Sequence, residues 1–142
     1  MIVVDASAIT ELLLQTELGT RVERHLYRDD DDVHAPHLLD VEVLSALRRL
    51  VRAGEVAAER AEEAIEDLGL LRIIRHGHLD LATRAWELRQ NFTAYDAVYL
   101  ALAESLDATV VTCDRPFGAA PGHAARIEVI RPARDRDDAV EP

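Results

Sequence analysis

Lysine is absent from the 142 residues, and all 16 basic side chains are arginine. That excludes chemistry built on a lysine amine, including the Walker phosphate loop and Schiff-base catalysis. A single cysteine, Cys113, excludes an internal disulfide framework and a cysteine-rich zinc site. A reducing, cytoplasmic setting is expected. Aromatic residues are only 4% against 49% hydrophobic overall, so the core must be built from Leu, Val, Ile and Ala. No apolar run approaches the roughly 18 residues of a membrane span. No basic stretch precedes Ile2-Val3-Val4, so no secretory signal is read and no membrane association is expected.

What is abundant is acid. The net charge is −11, which disfavours long-range attraction to nucleic acid and favours encounter with a basic partner. It does not exclude a nuclease, because residues that hold catalytic metal ions are themselves acidic. Residues 135–142 carry four acids and one arginine. The segment 133–142 is expected to be a disordered acidic tail, after a single domain over residues 1–132.

The hydrophobic pattern alternates between strands and helices. Ile2-Val3-Val4 is a short β-branched run of the kind found in buried parallel strands. Further strands are read at Val33–Ala35, Leu70–Ile74, Thr109–Thr112 and Ile127–Ile130. Helices are read from Ala8, over Leu18–Tyr27, through Leu39, Val43, Leu47 and Leu50 to a stop at Gly54, and through Ala57, Ala61, Ala64 and Leu68. Two more are read around Leu81, Ala85 and Leu88 and over Tyr95–Leu106. The last is apolar nearly all round, so it is buried or packed between a sheet and a partner. With the Leu44 and Leu47 helix, it carries more apolar surface than one sheet face needs, which predicts a homodimer. The pattern predicts an α/β fold with a parallel sheet of four to five strands and right-handed crossovers.

Sites in open α/β sheets lie beyond the carboxyl ends of the strands. Asp5 and Asp114 follow two of the predicted strands. Asp96 falls in the first turn of the apolar helix, and Glu42 near the start of the helix after Pro36. Each also has an ordinary reading: Asp5 as a helix cap, Asp96 in a capping box with Thr93, Asp114 in a turn, Glu42 as a solvated helix residue. Together they form a set of hard oxygen ligands suited to Mg²⁺ or Mn²⁺. Ser7 and Thr112 are candidates to hydrogen-bond a metal-bound water, or else to satisfy nearby backbone groups. Arg115 is a candidate phosphate contact, or else a solvated surface residue. His76-Gly77-His78 reads as a surface loop, and Arg48, Arg49 and Arg52 either contact RNA or complement a helix C-terminus.

The segments Ile2-Val3-Val4-Asp5-Ala6-Ser7, Ala35-Pro36 followed by Glu42-Val43-Leu44, Tyr95-Asp96-Ala97-Val98-Tyr99-Leu100-Ala101-Leu102-Ala103 and Val111-Thr112-Cys113-Asp114 form an ordered set. In that set the chain resembles the PIN-domain ribonucleases, in particular the VapC-type toxins of toxin–antitoxin pairs, from residue 2 to about 132. The resemblance implies a PIN-like α/β/α sandwich, with Asp5, Glu42, Asp96 and Asp114 as a metal-binding and catalytic quartet. It also implies Mg²⁺- or Mn²⁺-dependent hydrolysis of RNA to 5′-phosphate and 3′-hydroxyl ends. A homodimer and a cognate antitoxin, here a basic one, complete the expectation. The alternative is a non-catalytic PIN-like module that binds RNA or protein, which would be expected to lack some of the four acids. A receiver domain would need a lysine at its acidic pocket. A haloacid-dehalogenase-like phosphatase would need an aspartate where Ser7 stands.

Overall fold

The computed structural model describes residues 1–114 and 121–133. Arg115, and the acidic tail from residue 134 onward, lie outside the described residues. Five strands form one all-parallel sheet: β1 (Ile2–Val4), β2 (Val33–Pro36), β3 (Ile74–His76), β4 (Thr109–Thr112) and β5 (Arg126–Val129), in the order β3-β2-β1-β4-β5. Six helices cover it: α1 (Ala6–Leu13), α2 (Glu17–Leu26), α3 (Leu38–Arg52), α4 (Ala58–Leu70), α5 (Ala82–Glu87) and α6 (Ala94–Leu106). A single 3₁₀ turn, Leu79–Leu81, leads into α5.

Three layers follow from the two-residue period of the strands. On β1, Ile2 and Val4 face a core shared with Ile9, Leu13, Val22, Leu26, Leu39, Val43, Leu47 and Leu68, supplied by α1 to α4. Val3, between them, faces the opposite core with Val110 of β4, Leu81, Ala85 and Leu88 near α5, and Leu100 and Leu102 of α6. Both faces of β1 are therefore dry, which is why its sequence is continuously apolar rather than alternating. The close approach of α1 and α2 depends on Gly19: a Cβ there would stand 2.0 Å from the Glu11 carbonyl oxygen.

Most boundaries fall within one or two residues of the sequence reading; the later elements differ as follows. The strand expected at Leu70–Ile74 is Ile74–His76, because α4 keeps its helical register to Leu70 and Leu71 to Ile73 only connect. The last strand runs one residue earlier, Arg126–Val129. The helix around Leu81 and Leu88 is short and begins as the 3₁₀ turn. The segment His76-Gly77-His78 also has tertiary partners. His76 Nε2 lies 2.9 Å from His34 Nδ1, and the Leu38 amide at the start of α3 donates to His78 Nε2 at 2.9 Å. Arg75 on β3 adds a two-pronged ion pair to Asp40 in the first turn of α3, at 2.8 to 3.1 Å. Together these contacts fix the angle at which α3 leaves the sheet.

The strand order reverses between β1 and β4. The chain builds β1, β2 and β3 in one direction, then returns to place β4 on the free edge of β1. That reversal opens a crevice at the carboxyl ends of β1 and β4, where Asp5 and Asp114 lie.

Candidate active site

Asp5 is the cap of α1. Its Oδ1 accepts the Ala8 amide at 3.1 Å, which stabilises the helix start. The same carboxylate accepts two hydroxyls: Ser7 Oγ donates to Oδ1 at 2.7 Å and Thr112 Oγ1 donates to Oδ2 at 2.6 Å. The amides of Cys113 and Asp114 then donate to Ser7 Oγ and Thr112 Oγ1, each at 2.9 Å. The loop after β4 is thereby tied to the loop after β1 through two side chains 105 positions apart. Ser7 and Thr112 have their hydroxyl hydrogens directed at Asp5, and their oxygens take up neighbouring amides.

Burial dominates the electrostatics of Asp5. With 6% of its surface exposed, its carboxyl is pushed up to about 6. Desolvation is the cause, partly offset by the hydrogen bonds from Thr112, Ser7 and Ala8 and reinforced by the charge of Asp114. Glu42 and Asp96 are also raised, again mainly by burial. Asp96 adds to the shift of Glu42, and Asp114 to that of Asp96. The acids thus feel one another across a common space.

That space is a pocket of about 540 Å³. Asp5, Glu42, Asp96 and Asp114 all line it, together with Ser7, Leu38, Ser45, Arg49, Tyr95 and Tyr99. Thr112 stands behind Asp5. Asp96 is held in place because Thr93 caps α6: its Oγ1 accepts the Asp96 amide at 3.2 Å. Glu42 is held by Tyr99, whose hydroxyl donates to Oε1 at 2.7 Å. From its apolar neighbours in sequence, Tyr99 reads as core or dimer packing ahead of base stacking. The signal for its place in the pocket was its position three residues after Asp96, which puts both on one face of α6.

Among the described residues, no three His, Cys, Asp or Glu side chains close into a metal cluster. The acids surround the pocket without meeting at a point. The donor set still fits Mg²⁺ or Mn²⁺. Those ions take hard oxygen ligands and keep several waters, needing only one or two carboxylates directly. Without a cation, burial raises the carboxyls of Asp5, Glu42 and Asp96 above their ordinary values.

Residues 2–122 match the PIN domain family. The chain is 41% identical over 130 residues to Ribonuclease VapC1 of Mycobacterium tuberculosis, covering 91% of this chain and 97% of that protein. Among solved structures, it resembles PAE2754 from Pyrobaculum aerophilum with a TM-score of 0.65 and 27% identity, over 90% of this chain and 83% of that one. It also shares its fold with VapBC2 from Rickettsia felis, solved bound to a DNA fragment from their promoter. There the TM-score is 0.63 and the identity 14%, over 91% of this chain and 98% of that one. The parallel sheet, the acid-lined crevice and these relationships agree: the chain belongs to the PIN-domain family, among the VapC-type ribonucleases.

Proposed function

We propose that this protein is the toxin of a toxin–antitoxin pair and hydrolyses RNA phosphodiester bonds with Mg²⁺ or Mn²⁺. One observation carries the reading: four acids from separate parts of the chain line one pocket at the sheet's reversal point. Asp5, Glu42, Asp96 and Asp114 would hold the metal. A divalent ion held by them would supply Lewis acidity to a water and to the scissile phosphate. Ser7 and Thr112 orient Asp5 by filling its lone pairs on the protein side. Tyr99 fixes one oxygen of Glu42, and half-burial raises that carboxyl's proton affinity, so Glu42 is suited to take a proton from the attacking water. Arg115, next to Asp114, is proposed as a phosphate contact.

The partner is proposed to be a small basic antitoxin that places an arginine or lysine among the four acids. The charge of −11 supports this reading, as does the resemblance to VapBC2. A homodimer belongs to the same proposal, supported by the exposed Val41 and Leu44 on α3. The test is RNA degradation by the purified protein with and without Mg²⁺ or Mn²⁺, followed by mapping of the RNA ends. Asp96→Asn should abolish cleavage and leave the fold intact. Full activity in excess EDTA, or an undiminished Asp96→Asn protein, would defeat it.

A further inference from the structure

The acidic floor of the pocket suits a metal and a scissile phosphate, but it repels the rest of an RNA strand. The rim differs. Helix α3 presents Leu38, Val41, Glu42, Ser45, Ala46 and Arg49 to the pocket, a spacing of three and four residues that marks one helix face. Arg49 is the one basic side chain among the pocket's described lining residues. It is exposed, and among the described residues its guanidinium makes no ion pair or hydrogen bond. It stands seven positions beyond Glu42, about 10 Å along the helix axis, which is the scale of a nucleotide. The same pocket is lined from the first turn of α6 by Tyr95, next to Asp96 and 61% exposed. The other strongly exposed aromatic of α5 and α6, Trp86, lies outside the pocket and is covered by Arg89 at 4.7 Å from its ring. Tyr95 has no such cover among the described residues.

We infer that Tyr95 and Arg49 form a nucleotide subsite on the rim of the acidic pocket. The ring stacks on an unpaired base and the guanidinium holds a backbone phosphate beside the scissile one. A paired base offers no face to the ring, so this subsite takes an unpaired nucleotide. Arg48 and Arg52, exposed on the last turns of α3, continue the positive path for the strand leaving the site. This inference rests on the ribonuclease reading for its ligand.

The test is fluorescence-anisotropy binding of a labelled mixed-sequence single-stranded RNA, and of its duplex, at several salt concentrations. Wild-type protein should prefer the single strand. Tyr95→Ala should weaken single-strand binding by about 5- to 150-fold, the range for loss of one stacked base. Tyr95→Phe, which keeps the ring, should restore it. Arg49→Gln should weaken binding and flatten the log–log salt slope by about 0.7. Trp86→Ala is the surface control and should bind as wild type. Equal affinity for duplex and single strand, or wild-type binding by both Tyr95→Ala and Arg49→Gln, overturns the subsite. So does a result in which those two variants bind RNA normally but escape neutralisation by a basic partner, which would make the rim a protein-docking surface. Cleavage of total cellular RNA by wild type is measured in parallel. Its absence under every metal condition would sink the ribonuclease reading, whereas loss of the binding differences alone sinks only the subsite.

Discussion

Asp5 sits at a conflict between burial and charge, and that conflict has a pH signature. Its carboxyl moves from the ordinary 3.8 to about 6 in the fold, so between those values the native state holds a proton that the unfolded chain has released. The contribution of Asp5 to stability then falls as pH rises from about 4 to 6 and levels off above. The change is on the order of 3 kcal/mol for this group alone. Urea unfolding in EDTA across that range should show the decline, and Asp5→Asn should flatten it. Adding Mg²⁺ above pH 6 should restore stability to wild type and not to Asp5→Asn. Wild-type and Asp5→Asn profiles that run parallel from pH 4 to 7 would contradict the assigned environment. Tyr99 offers a second test. Tyr99→Phe removes the donor to Glu42 and should cost about 1 to 2 kcal/mol, with a slower metal-saturated cleavage rate as the sign that Glu42 has lost its orientation. Of these residues, the four acids were legible in sequence because their positions follow from strand ends and helix starts. The hydroxyl network on Asp5 was not, since Thr112 donates to it from 107 positions away and Ser7, though a near neighbour, takes the Cys113 amide from 106 positions away.

The helices do more than cover the sheet: α3 and α6 each carry site residues whose placement depends on how the helix begins. Thr93 caps α6 and fixes the turn that bears Asp96. Thr93→Ala should lower stability by about 1 kcal/mol and reduce cleavage more than that loss explains, measured as thermal midpoint against cleavage rate at saturating metal. Helix α3 has no side-chain cap of its own; it borrows His78 and is braced by Arg75 through Asp40. Periodicity identified both helices, but the borrowed cap joins positions 40 apart and leaves no local trace. The same limit explains the misplaced β3. Leu70 to Ile74 is apolar enough for a strand, yet the helical register of α4 holds through Leu70 and the ladder begins only where His34 finds Ile74. Between α1 and α2 the constraint is steric. Gly19→Ala would put a methyl group 2.0 Å from a backbone oxygen, so the helices must separate at a cost of about 1 to 3 kcal/mol. An unchanged thermal midpoint would show that α2 is not seated as described.

At the scale of the whole molecule, the apolar excess that predicted a partner for α6 is mostly consumed internally. Ala97, Tyr99, Leu100, Ala101, Leu102 and Ala103 are all buried within one copy, between the sheet and α5. Helix α6 is the wall between the sheet and the outer layer, so an all-round apolar sequence there reports depth rather than association. What remains exposed includes Tyr95 at the start of α6, Val41 and Leu44 on α3, Leu70 at the end of α4, and Leu79 and Trp86 near α5. Light scattering at micromolar concentration should give the mass of two chains, and Leu44→Glu should shift it toward one if the α3 face is the contact. A basic partner should associate at a rate that falls steeply with salt, because attraction to a chain of −11 is screened within about 10 Å at 0.1 M ionic strength. The parallel fold itself was legible, because the apolar runs of β1, β2 and β4 alternate with helical segments, which leaves few other topologies.

The position of β4 has a consequence in time as well as in space. It is inserted beside β1 only after three strands and six helices have been specified, and it brings both Thr112, which steadies Asp5, and Asp114. A ribosome that has released everything through α6 has made three of the four acids, but not the strand that joins the two sides of the crevice. On the proposed ribonuclease reading, such a nascent chain would carry no complete cleaving centre. The proposed antitoxin would then have an interval, set by the synthesis and docking of one late strand, in which to find the chain before it could cut.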